Sequence, residues 1–134
     1  MLTALDWSLV FVGGAIGAAA RYGTLRLATR LDHRASLGLF ALNSLGCLLA
    51  GVFAVAFAQA GLLGLSPEST QTALIGGLLG GYTTFSAVAL ECATAAVGPM
   101  RRRVLIEAAL STILAAPLAR LGMAIGSSIA GALA

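Results

Sequence analysis

The sequence predicts an all-α membrane protein of four transmembrane helices, the third of them broken at mid-membrane. Three observations carry that class. Hydrophobic residues make up 59% of the chain and charged residues only 10%, where a soluble domain carries about 25% charged residues. Mean hydropathy is +0.98. The apolar residues fall in four long stretches separated by short connectors, and a helix that crosses ~30 Å of hydrocarbon needs ~20 residues. The third stretch contains Gly76-Gly77-Leu78-Leu79-Gly80-Gly81-Tyr82-Thr83-Thr84-Phe85-Ser86. Each glycine costs a helix interior roughly 1 kcal/mol relative to alanine. Hydroxyls and freed backbone groups are tolerated at membrane depth only where protein or an ion site takes them up. Four such spans nearly exhaust 134 residues, so the expectation is a single transmembrane domain over residues 1–134 with no soluble domain beside it.

The spans are placed in order at residues about 5–29, 37–63, 70–96 and 104–130. In the first, Trp7 suits the membrane interface, and Gly13, Gly17 and Ala18 to Ala20 form a small-residue face for close helix packing. No basic segment precedes it, so it is not expected to be a signal peptide. Arg21 falls inside this span, where a charge must snorkel or find a partner. It is read either as an anchor or as a structural arginine at the vestibule of an anion path. The connector Arg30-Leu31-Asp32-His33-Arg34 is short and basic, and its lone histidine is given no role.

The second span carries one polar patch, Asn43-Ser44-Leu45-Gly46. An asparagine in hydrocarbon either makes an interhelical hydrogen bond or aims its amide into a pore. Gly46, Ala50 and Ala54 repeat at helical spacing as a second close-packing stripe. Pro67 and Glu68 mark a turn that leads into a helix start. The third span holds the glycine-rich break and has Glu91 near its far end, followed by the loop Gly98-Pro99-Met100-Arg101-Arg102-Arg103. In the fourth, Glu107, Ser111 and Ala115 share one face, and Pro117 is expected to kink the helix.

Charge sets the orientation. The net charge is +3 and all eight basic residues are arginines. With four spans, loops 1 and 3 share one side, which holds Arg26, Arg30, Arg34 and Arg101 to Arg103, with Arg21 leaning toward it. Only Arg120 is left for the other side. The positive-inside rule therefore places loops 1 and 3 in the cytoplasm and both termini outside, in one fixed orientation. Nucleic acid is excluded as a partner on the same grounds; the partner of this surface is the lipid bilayer of a cell (inner or plasma) membrane. Cys47 and Cys92 lie in apolar segments without metal-type spacing and read as small buried residues. No serine–histidine–acid set, metal-spaced cluster or phosphate loop is present, so the chain is not expected to be an enzyme.

The polar groups left in the membrane are hydroxyls and amides: Asn43, Thr83, Thr84, Ser86, Ser111 and Thr112. Their hydrogens can replace water around a small anion. The positive edge of an aromatic ring can do the same, which makes Phe85 a candidate pore residue as well as a candidate core residue. Carbonyls freed near Gly80 suit a hard cation such as Na⁺.

Three stretches resemble the Fluc (CrcB-like) fluoride channel family: Gly13-Gly14-Ala15-Ile16-Gly17-Ala18 with Arg21-Tyr22, then Asn43-Ser44-Leu45-Gly46, then Gly80-Gly81-Tyr82-Thr83-Thr84-Phe85-Ser86. The similarity covers the four-span length, and the last motif is the most specific. The resemblance implies an antiparallel dimer with two fluoride pores at its interface. It also implies a structural Na⁺, not transported, held by the backbone carbonyls of Gly80 and Thr83. Asn43, Phe85 and Thr84 would line the pore, with Ser111 on the polar track of span 4. The function implied is a fluoride-selective ion channel that lowers cytoplasmic fluoride and so confers fluoride resistance.

Three positions depart from the family's pattern. Val88 stands where a second phenylalanine is usual, and Glu107 and Ala115 stand where the polar track has a tyrosine and a serine. A carboxylate beside an anion path repels the ion unless Arg101 to Arg103 neutralises it. An antiparallel homodimer also needs one sequence that inserts both ways, and the arginines here are lopsided. The reading is therefore one half of a heterodimer with a paralogous subunit of opposite orientation, with the homodimer as the other possibility. The alternatives are a non-conducting assembly subunit and a small four-span drug or cation exporter. An exporter needs a membrane-embedded carboxylate, whereas Asp6 lies at the start of its span and Glu91 and Glu107 near span ends.

Overall fold

The structure, a computed structural model, describes residues 3–32, 35–58 and 61–133. His33 and Arg34 of the basic connector lie outside the described residues. Among the described residues every regular element is helical: α1 (Ala4–Asp32), α2 (Ala35–Ala56), α3 (Pro67–Gln71), a π-helical stretch (Thr72–Leu79), α4 (Gly80–Tyr82), α5 (Ser86–Ala95) and α6 (Arg101–Leu133). Four of the resulting rods are long and apolar enough to cross a membrane: Ala4–Leu31, Ser36–Ala56, Pro67–Ala95 and Arg101–Gly131.

Boundaries differ from the expectation where hydropathy and helix signals part. The second helix stops at Ala56 rather than near residue 63. The apolar run continues beyond it, but Leu63 and Gly64 take positive φ (54° and 80°) and turn the chain; only glycine enters that region without steric cost. Ser66 then caps α3, its side chain accepting from the Ser69 N–H at 3.1 Å, and Pro67 follows at the first helical positions, where its missing N–H costs nothing. The turn read at Pro67 and Glu68 is thus a helix start. At the other end, Arg101 to Arg103 form the first turn of α6 rather than a loop. Three cations at a helix N-terminus oppose its dipole, and Arg103 is offset by an i,i+4 pair with Glu107. The helix continues through Pro117 to Leu133 without interruption.

Few large apolar side chains are buried within one chain. Leu39, Leu42, Leu79 and Val104 are buried, whereas Phe11, Tyr22, Phe85 and Ile113 are exposed. Exposed apolar side chains on long rods are what lipid or another subunit would cover. Two seams of small residues hold the rods together, as helices in lipid approach through glycine and alanine. The first joins α1 to the segment from the π-helical stretch to α4. A Cβ built on Gly13 would lie 2.9 Å from the Ala73 carbonyl oxygen, and one on Gly17 would lie 2.8 Å from the Tyr82 nitrogen. This is the face read from Gly13 and Gly17. The second joins α2 to α6. A Cβ on Gly51 would meet the Met123 nitrogen at 2.9 Å, and one on Gly122 would meet the Val52 nitrogen at 3.0 Å. The stripe of Gly46, Ala50 and Ala54 does not make this crossing: Gly46 packs against the Thr83 methyl, and Ala50 opens onto a groove.

Candidate functional site

Between Tyr82 and Ser86 the backbone leaves the helix. Thr83 is extended, with φ −79° and ψ 157°, and α5 resumes after Phe85. The helix is already irregular upstream. A π-helical stretch carries one extra residue per turn, and the Gly80 N–H bonds to the Ile75 carbonyl as well as to that of Gly77. Gly81 lies against the Gly14 backbone, with a built Cβ 2.9 Å from the Gly14 Cα, so no side chain fits there.

The backbone groups of this interruption are met by side chains from neighbouring helices. Asn43 of α2 pairs reciprocally with Thr84: its Nδ2 donates to the Thr84 carbonyl at 3.1 Å and its Oδ1 accepts from the Thr84 N–H at 3.0 Å. The two bonds fix the amide's orientation, since the flipped side chain would set donor against donor. Asn43 therefore makes the interhelical hydrogen bond that was one of its two sequence readings. A second amide hydrogen remains on Nδ2, and Asn43 also lines the groove described below. Arg21 of α1 donates from Nη1 to the Thr83 carbonyl at 3.4 Å. One turn on, the Thr24 hydroxyl meets the Tyr82 hydroxyl at 3.3 Å. Arg21 is thus partnered by backbone where the third apolar rod is interrupted. The Thr24–Tyr82 pair was not read from the sequence. Its signal was the spacing of Gly17, Arg21 and Thr24, which puts all three on one face of α1.

These residues border a groove of about 490 Å³. It collects Asn43 and Gly46 from α2, Gly80 from α4, Thr83, Thr84 and Phe85 from the interruption, Val88 from α5, and Ser111, Thr112 and Ala115 from α6. Nearly every residue singled out from the sequence reaches it, although the residues lie on separate rods. Phe85 is 80% exposed, with little of the chain packed on it. Thr84 and Ser86 share a hydroxyl–hydroxyl contact at 3.2 Å, and the Ala87 N–H donates to Thr84 Oγ1 at 3.3 Å. The Thr84 hydroxyl thus meets one N–H in the first turn of α5, the positive end of that helix dipole, next to the groove residues Phe85 and Val88.

Glu107 lies outside the groove. It lines a water-sized pocket of about 10 Å³ with Ser36, Val88, Glu91 and Ser111. Val88, Ala108 and Ser111 border both spaces, so the pocket and the groove share a wall. Arg103 Nε donates to Glu107 Oε1 at 2.8 Å.

The carbonyls of Gly80 and Thr83 are neutral oxygen donors of the kind that suit Na⁺. The Thr84 N–H, four residues after Gly80, turns to Asn43 instead of back along the helix, which leaves the Gly80 carbonyl without the partner a continuous helix would supply. The donor set fits a hard monovalent cation.

The curated relatives have a consistent name. Over 85 residues the chain is 46% identical to the "Fluoride-specific ion channel FluC" of Paracoccus denitrificans (strain Pd 1222), covering 63% of this chain and 64% of that protein. Over another 85 residues it is 45% identical to the protein of the same name from Methylobacillus flagellatus, with 62% and 64% covered. A third, from Novosphingobium aromaticivorans, is 43% identical over 89 residues, with 64% and 68% covered. The matched stretches thus span about two thirds of these relatives, and slightly less for the first two. A family model described as "CrcB-like protein, Camphor Resistance (CrcB)" matches residues 8–127. That match runs from the first apolar helix into the last and takes in every part of the groove, so the chain belongs to the CrcB-like protein family.

Proposed function

We propose that the chain is a subunit of a fluoride-selective channel in the cell membrane, lowering cytoplasmic fluoride and so limiting its toxicity. The observation that carries this is the convergence of Asn43, Phe85 and Ser111, from three separate rods, on one groove beside the N-terminus of α5. Amide and hydroxyl hydrogens, a ring edge and a helix N-terminus all favour a small anion. The names of the curated relatives support fluoride as that anion.

Phe85 lines the groove yet is 80% exposed, which supports cover by a second subunit. An antiparallel subunit would place a second interruption against the first at mid-membrane, and the carbonyls of Gly80 and Thr83 would then hold a structural Na⁺. Na⁺ bound there would satisfy the freed carbonyls of the interrupted helices; Arg21, already on the Thr83 carbonyl, would brace them. The arginine distribution supports loops 1 and 3 in the cytoplasm and a paralogous partner of opposite orientation. Val88 and Ala115, which line the groove without a ring edge or a hydroxyl, support the same heterodimer.

Fluoride efflux from liposomes tests the reading, with the chain alone, a candidate partner of opposite loop charge alone, and the two together. Efflux from the mixture alone is the expected result. Efflux from the chain alone at the rate of the mixture rejects the heterodimer. Absence of efflux in every combination rejects the channel.

A further inference from the structure

We infer that Arg21 is a specificity-determining residue for the cation at the helix interruption: its charge admits a monovalent ion to the Thr83 carbonyl and turns a divalent one away. The inference rests on the structural Na⁺ proposed above. Donor chemistry alone does not make this choice, because Ca²⁺ also takes backbone carbonyls, and in flexible geometry. Charge makes it instead. The groove wall that includes Gly80 and Thr83 has no carboxylate, and among the described residues no cluster of histidine, cysteine and acidic side chains suits a metal. The formal charge set on these oxygens is positive: Arg21 Nη1 donates to the Thr83 carbonyl at 3.4 Å. Among the described residues Arg21 has no carboxylate partner to offset it. Its stretch of α1 is pinned on both sides. One turn before it, Gly17 lies against the backbone of Leu78 and Tyr82. One turn after it, the Thr24 hydroxyl meets that of Tyr82 at 3.3 Å. The helix that carries the guanidinium therefore stays at the interruption when an ion arrives. A carbonyl oxygen has two lone pairs, so Thr83 can serve the guanidinium and an ion together. The ion then shares its oxygen with a cation, and the repulsion grows in proportion to the ion's charge. Whatever factor Arg21 takes from Na⁺ affinity, it takes about the square of that factor from Ca²⁺ affinity.

Cation binding, read without any fluoride flux, tests the inference. The assembled complex is unfolded thermally in detergent while NaCl or CaCl₂ is titrated against N-methylglucamine chloride at constant ionic strength. A cation that binds only the folded state raises the midpoint according to its affinity, so each titration yields an affinity and the two together a Ca²⁺-to-Na⁺ ratio. The starting protein should gain stability from Na⁺ and much less from Ca²⁺. R21Q keeps an N–H donor and loses the charge, so its ratio should rise on the order of tenfold or more. R21K keeps the charge, and its ratio should stay near that of the starting protein. The ratio separates charge from bracing, since a lost brace weakens both ions alike. An unchanged ratio in R21Q therefore overturns the inference, as does an equal rise in R21K. R21M is a second neutral variant should R21Q not assemble, with the same expected rise. The starting protein is itself a test, because stabilisation by Ca²⁺ as strong as that by Na⁺ also overturns the inference. A Na⁺ response with an unchanged ratio rejects this inference alone. No Na⁺ response in the starting complex rejects the structural Na⁺ and this inference with it.

Discussion

Substituting Asn43 by alanine removes two hydrogen bonds at once and strands the backbone they serve. The Asn43 amide is bonded to both the N–H and the carbonyl of Thr84, at 3.0 and 3.1 Å. Each hydrogen bond contributes about 0.5–1.5 kcal/mol net when replaced, and interhelical hydrogen bonds in a membrane protein average nearer 0.6 kcal/mol. Two of them give about 1–3 kcal/mol. The stranded groups face a groove that water can enter, so the full cost of a dry unpaired amide does not apply, and the lower half of that range is expected. Thermal unfolding of the purified protein in detergent should show the midpoint falling by roughly 5 °C for Asn43→Ala, since 1 kcal/mol corresponds to about 2–8 °C across small domains. Hydrogen exchange at the Thr84 amide should quicken in parallel. Asn43→Asp separates the two bonds: the acceptor for the Thr84 N–H is kept and the donor to its carbonyl is lost, so amide protection should persist while stability still falls. A midpoint within about 1 °C of the unsubstituted protein, with Thr84 as protected as before, would refute the reasoning. The interruption would then be held by the glycine seam alone.

The glycine seam has its own test. Gly17→Ala drives a methyl into the backbone of Leu78 and Tyr82, and overpacking of this kind costs about 1–3 kcal/mol, so the unfolding midpoint should fall well below that of Gly23→Ala. At Gly23 a methyl meets nothing within 4 Å, and that variant should stay within about 1 kcal/mol of the parent; equal midpoints would refute the seam. Near the N-terminus, Ser69 donates to Asp6 Oδ1 at 2.6 Å, while Thr3 donates to Oδ2 through both its N–H and its hydroxyl at 2.8 Å. Ser69→Ala should lower the midpoint by a few degrees and loosen α3 from α1, measured as faster hydrogen exchange over residues 67–71; unchanged exchange there would refute the tie. On the proposed channel reading, Phe85→Ile should abolish fluoride efflux while changing the midpoint of the isolated chain little, because the ring is 80% exposed; undiminished efflux through the only active complex would reject a pore role for Phe85.

Much of the architecture was legible along the chain because the bilayer acts on local composition. Four apolar runs, their length and their connectors determined an all-helical chain with four candidate spans. Glycine at 76, 77, 80 and 81, next to two threonines, marked where helical order would be weakest, and the same residues carried the family resemblance. Ser66 and Pro67 announced a helix start by their own chemistry. The tertiary structure decided which groups meet. Asn43 was open between a pore amide and an interhelical bond, and only the placement of α2 against Thr84 shows the bond. Arg21 was open between anchor and structural role, and its target proved to be a carbonyl on another rod. The close α2–α6 crossing runs through Gly51 and Gly122, not through the stripe that spacing suggested, and Arg103 proved to be helical and paired. The physical reason is common to the first three. A helix that is apolar nearly all round carries no polar face from which its inward side can be read. Rotation and register between such helices come from the fit of small residues across their seams, and that fit exists only when both surfaces are present.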